Sequence, residues 1–129
     1  MEILSLLKLA EWMWKNIKPS KLLIIVEDDS DDALLLCQEL EEQNVKHALA
    51  RSGEDALKLM RWTRFHAALI DLGLPGMSGM ALAKKIQEKG YRTRIFFITG
   101  SSFINLDPGQ HINIIRKPIA GDGLREIIK

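Results

Sequence analysis

Five consecutive apolar residues at 22–26, LLIIV, constrain this chain more than any other feature. A run without polar alternation belongs to a strand covered on both faces, and such strands sit in parallel sheets layered with helices. The pattern then repeats. Further strands are predicted at 46–50, 67–70, 95–99 and 112–116, the third of the five ending at Asp71. Helices fall between them. Ser30 is predicted to cap one that runs to about residue 43, with Asn44 as its stop. Ser52 opens a second over 53–62, with Asp55 three residues after the cap. Ser78 caps a third to about residue 89, stopped by Gly90, and Asp122 opens a last short one. Strands alternating with helices specify parallel β-α-β units and an α/β sheet covered on both sides.

A chain of 129 residues fits one domain. Its 47% apolar and 27% charged residues exclude the disordered and fibrous classes. A net charge of +1 gives no field that would draw nucleic acid or an anionic membrane. Cys37, the single cysteine, excludes an internal disulfide and suits a reducing cytoplasm as a small core side chain. His47, His66 and His111 lack metal-ligand spacing. Trp12, Trp14 and Trp62 read as packing residues.

Residues 3–18 read as an amphipathic helix, broken by Pro19. Ile3, Leu6, Leu7, Ala10, Met13, Trp14 and Ile17 share one face, with Glu2, Ser5, Lys8, Glu11, Lys15 and Lys18 opposite. The segment is too charged to span a membrane. Its early acid and lack of a small-residue cleavage site argue against a signal peptide, so a cytoplasmic location is expected. The expected division is a helix and linker at 1–20 and one domain at 21–129.

Polar residues gather where strands end. Glu27 and Asp28 follow the first strand, Asp71 ends the third, Thr99 ends the fourth and Lys117 follows the fifth. In an open parallel sheet these positions share the carboxyl edge, where such folds bind ligands. Carboxylates that close raise one another's pKa unless a cation compensates, and hard oxygen donors suit Mg²⁺. Such a site also suits phosphoryl transfer. A carboxylate oxygen can attack phosphorus, while a metal, an ammonium and a hydroxyl stabilise the phosphoryl oxygens. Asp29, Asp31 and Asp32 read instead as acids that complement the start of a helix.

The stretches LLIIVED at 22–28, ALIDLGLPGMSG at 68–79, IFFITG at 95–100 and RKP at 116–118 together resemble the receiver domain of bacterial two-component response regulators. The resemblance covers residues 21 to about 129 and leaves the N-terminal helix outside. It implies a flavodoxin-like, doubly wound, five-stranded parallel sheet of order 2-1-3-4-5. It implies Asp71 as phosphoacceptor, with Mg²⁺ held by Glu27, Asp28, Asp71 and the backbone carbonyl of Gly73. Thr99 would be the switch hydroxyl, and Lys117 would pair with the phosphorylated carboxylate. The Lys117–Pro118 bond is expected to be cis. The implied partner is a sensor histidine kinase or a histidine phosphotransfer protein, with no nucleic acid and no membrane span.

Two departures stand out. The segment between Thr99 and Lys117 is short, so the helix between the fourth and fifth strands is expected to be reduced or lost. Ile114 occupies the place of the family's aromatic switch residue. A truncated last helix would leave sheet surface that the N-terminal helix could cover, in this domain or in a homodimer. The main rival is a pseudo-receiver acting as a phosphorylation-independent interaction module. An aspartate-nucleophile phosphatase would need a second acid where Gly73 stands. A flavodoxin-like carrier would need a phosphate loop where the acids 27–32 stand.

Overall fold

A computed structural model of the chain describes residues 3–16, 20–100, 113–117, 119, 123, 127 and 128. The elements run α1 (Ile3–Asn16), β1 (Ser20–Val26), α2 (Ser30–Glu42), β2 (His47–Ala50), α3 (Gly53–Trp62), β3 (Phe65–Asp71), α4 (Gly79–Glu88), β4 (Arg94–Thr99) and β5 (Asn113–Arg116). The strands form one parallel sheet in the order β2-β1-β3-β4-β5. The doubly wound architecture is as the sequence implies. The fate of the helix between β4 and β5 lies outside the described residues, as do the last helix's start at Asp122 and the Lys117–Pro118 bond.

The strand period of two divides the core into two layers. Ile24, Val26, Ala68, Ile70 and Phe97 face a cluster completed by Ala56 and Met60 of α3 and Leu82 and Ile86 of α4. Their neighbours Leu23, Ile25, Ala67, Leu69, Phe96 and Ile98 face the other way, onto Leu36 and Leu40 of α2 together with Ile119 and Ile127. Cys37 packs against this second layer, and burial pushes its thiol pKa up. Both faces of β1 and β3 are therefore covered, which is why these strands carry no polar alternation.

Helix starts follow capping chemistry, with one correction. Ser52 and Ser78 cap α3 and α4 by accepting the amides of Asp55 and Ala81. The cap of α2 is Asp29, whose carboxylate accepts the Asp32 amide at 2.9 Å. Ser30 is the first helical residue, and its hydroxyl accepts a bond from Arg51 at 2.9 Å. Asp29 takes the cap because its backbone is extended there, at φ −75° and ψ 123°. Asn44 ends α2 with φ 56°, a left-handed conformation that asparagine tolerates well.

Two apolar groups lie at the surface of the single chain. Trp62, at the end of α3, is 81% exposed, and Trp12 is also exposed, while the Trp14 side chain lies outside the described residues. On α1, Ile3, Leu6, Leu7 and Met13 of the apolar face are exposed, so among the described residues this domain leaves them uncovered, and the homodimer arm of the expectation stands open. Ile127 is fully buried and fills part of the surface that α1 was expected to cover. Deleting residues 1–19 should therefore leave the urea unfolding free energy of the dilute monomer unchanged within about 0.5 kcal/mol. A larger loss would show that α1 is packed in solution.

Candidate functional site

The strand ladders place the site residues. Val26 pairs with Ala50 on one side and Ile70 on the other, so Glu27 and Asp71 emerge side by side. Asp71 pairs with Ile98, and Thr99 with Arg116. Backbone bonds fix the next residues along. The Glu27 amide donates to Ala50 O at 3.0 Å, Leu72 to Ile98 O at 3.1 Å and Lys117 to Thr99 O at 2.9 Å. Strand order reverses between β1 and β3, and the crevice beyond their ends is where such sheets bind ligands.

Glu27, Asp28 and Asp71 each present a carboxylate oxygen, and the three oxygens lie within 4.8 Å of one another. Glu27 is fully buried, Asp71 partly so, and Asp28 is exposed. The Lys117 ammonium lies 2.7 Å from Glu27 Oε1 and 3.6 Å from Asp71 Oδ2. Thr99 is buried at the end of β4. The Gly73 amide donates to Asp71 Oδ1 at 3.0 Å, which turns the following loop back over the acceptor carboxylate. The expected acids, hydroxyl and ammonium thus meet at one edge.

Burial pushes the Glu27 carboxyl up to about 8, and the neighbouring Asp71 carboxylate adds to the rise. Both effects favour a proton on Glu27. For Lys117 burial works against the charge, but hydrogen bonds to Asp32 and Glu27 outweigh it and its pKa is raised. Glu27 Oε2 is buried with no hydrogen-bond donor. A hard divalent cation fits this donor set. It would satisfy that oxygen, take the place of the proton and offset the repulsion among the acids.

Two participants escape a reading of the sequence. Asp32 Oδ2 accepts from Lys117 Nζ at 2.8 Å, and this bond is the main reason its pKa is lowered. Helical side chains lean toward the N-terminus, so an acid in the third position of α2 points back at the strand ends. That lean was the available signal. Arg51, just after β2, donates to Asp28 O at 2.5 Å and to Ser30 Oγ, strapping the acidic loop to the neighbouring strand end. No sequence spacing marks it.

Gly79 also belongs to the site's construction. A Cβ there would lie 2.6 Å from Asp71 O and 3.0 Å from the Ile70 side chain. The start of α4 is thereby pressed against the strand end that carries Asp71.

A parallel sheet with an acid triad and a lysine at its switch point is the arrangement of a signalling receiver domain. The profile of the response regulator receiver domain matches residues 23–129, and the chain belongs to that family. The virulence sensor protein BvgS of Bordetella pertussis is 32% identical over 114 residues, covering 80% of this chain and 9% of BvgS. The transcriptional regulatory protein DltR of Streptococcus agalactiae is 31% identical over 107 residues, covering 79% of this chain and 47% of DltR. The chain thus spans less than half the length of these relatives. The response regulator TrrA of Thermotoga maritima, solved with Mg²⁺–BeF, superposes with a TM-score of 0.72 at 28% identity, covering 83% of this chain and 95% of TrrA. TrrA has also been solved in complex with the histidine kinase ThkA. Receiver domains of two-component and phosphorelay systems are signalling modules rather than conventional enzymes. Among the described residues no helix is long and apolar enough to cross a membrane.

Two predictions follow from this geometry. Gly79→Ala should destabilise the domain by about 1–3 kcal/mol in urea unfolding, the range for forcing a methyl into a packed site. The second concerns pH. Glu27 rises from an ordinary 4.5 to about 8, so folding takes up a proton between those values. With a chelator present, stability should be highest near pH 4.5 and fall as the pH rises to about 8. Asp32, lowered from 3.8, and Lys117, raised from 10.5, change stability only outside that window. Glu27→Gln should flatten the slope, and a wild-type stability that is level or rising over this range would refute the burial argument.

Proposed function

We propose that residues 21–129 form a phosphoryl-accepting receiver and that Asp71 is its acceptor. One observation carries the reading. Three carboxylates, one of them buried beside an orphaned oxygen, converge within 4.8 Å next to the Lys117 ammonium. An Asp71 oxygen attacks the phosphorus of a phosphohistidine. The new O–P bond forms as the N–P bond breaks, and its electron pair returns to the imidazole of the donor. Lys117 supplies positive charge to the phosphoryl oxygens, and the Thr99 hydroxyl donates a hydrogen bond to one of them. Mg²⁺, held by Glu27, Asp28, Asp71 and the Gly73 carbonyl, would supply further charge neutralisation for the transferring group. The same groups, acting on an attacking water, return Asp71 to its carboxylate.

The donor we favour is a histidine kinase or a phosphotransfer protein, as in the ThkA complex of TrrA. An open cavity of about 500 Å³ runs from Lys117 and Asp32 past Leu35 and Leu36 to Ile119. Leu34 and Leu35 are exposed beside it, an apolar rim next to the acceptor edge that suits a docking helix. With Leu34, Leu35 and the cavity on one side of the site, a partner seated on α2 would reach Asp71 without unfolding anything. A cytoplasmic location fits this partner.

Intact-mass measurement after incubation with acetyl phosphate tests the reading. One phosphoryl group should add to the wild-type chain with Mg²⁺, little without it, and none to Asp71→Asn. An unmodified wild-type chain under all conditions would favour the pseudo-receiver.

A further inference from the structure

Lys117 does not rest on the acceptor. Its Nζ lies 2.7 Å from Glu27 Oε1 and 2.8 Å from Asp32 Oδ2, both within hydrogen-bond reach, but 3.6 Å from Asp71 Oδ2. We propose that Asp32 is the resting counter-ion of Lys117, a positioning residue that holds the ammonium off Asp71 and yields it to an incoming phosphoryl group. The inference rests on the reading of Asp71 as acceptor.

The geometry makes Asp32 a fixed partner. It is the third residue of α2, and its amide is held by the Asp29 cap at 2.9 Å. Its carboxylate and Lys117 line the same cavity, together with Gly100 just beyond β4. An ammonium has three donors, and Glu27 and Asp32 occupy two of them.

The Asp32 bond is nevertheless the one that can be broken. The Asp32 side chain is 40% exposed, whereas that of Glu27 is fully buried. Water therefore weakens the attraction of Asp32 and can replace it at little cost. A phosphoryl group on Asp71 brings close to two negative charges to the acceptor side. It outcompetes a single solvated carboxylate for the ammonium. Asp32 therefore opposes the phosphorylated state by competing for Lys117.

Fluoroberyllate with Mg²⁺, titrated by calorimetry, provides a phosphoryl mimic that does not turn over. Asp32→Asn should bind it about two- to fivefold more tightly than wild type, the range for a partly exposed ion pair. Asp32→Glu should return toward wild type. Asp31→Asn, in the same exposed helical turn, removes the same charge without the Lys117 contact and should change nothing. In a Lys117→Gln background the gain from Asp32→Asn should vanish. Before any ligand is added, the ¹⁵Nζ resonance of Lys117 should move in Asp32→Asn and not in Asp31→Asn. An unchanged affinity in Asp32→Asn overturns the proposal. So does an equal gain in Asp31→Asn, or a gain that survives Lys117→Gln. A wild-type chain that binds no fluoroberyllate and gains no phosphoryl mass defeats the acceptor reading and this proposal together. A phosphorylated wild type with an inert Asp32→Asn defeats this proposal alone.

Discussion

The Glu27 carboxyl, buried at the end of β1, governs how the carboxyl edge of the sheet is assembled. An acid removed from water needs a proton, an ammonium or a metal beside it. Lys117 reaches it from the far side of the sheet, across β3 and β4. That reach is fixed by the parallel ladder, because the Lys117 amide is pinned to Thr99 O and the Glu27 amide to Ala50 O. Four acids near one ammonium leave negative charge in excess, and burial, the larger cause, raises the Glu27 pKa further.

Much of this was legible in the sequence for a simple reason. β1 and β3 are covered on both faces, so LLIIV and AALI had no room for polar residues, and their ends could be located by where polarity returns. The acceptor edge followed, since parallel strands deliver their carboxyl ends together. The Lys117 contact of Asp32 was not legible because an acid early in a helix has a sufficient local explanation in the macrodipole. Only the side-chain lean, together with Lys117 brought from 85 residues away, reveals its second role. The cap of α2 was placed one residue late because Asp29 and Ser30 are both good caps. Arg51 was invisible because its partners are a carbonyl and a hydroxyl in another loop.

The apolar face of α1 and the exposed Trp62 were less legible. Amphipathicity says that a face prefers burial but not what buries it. Ile119 and Ile127 close that side of the second layer.

The burial of Glu27 gives the site a property beyond catalysis. Burial favours a proton on this carboxyl, and a divalent ion among the same oxygens would favour its loss. Cation and proton are thus alternative occupants of one place, so loading the site is an exchange rather than a simple uptake.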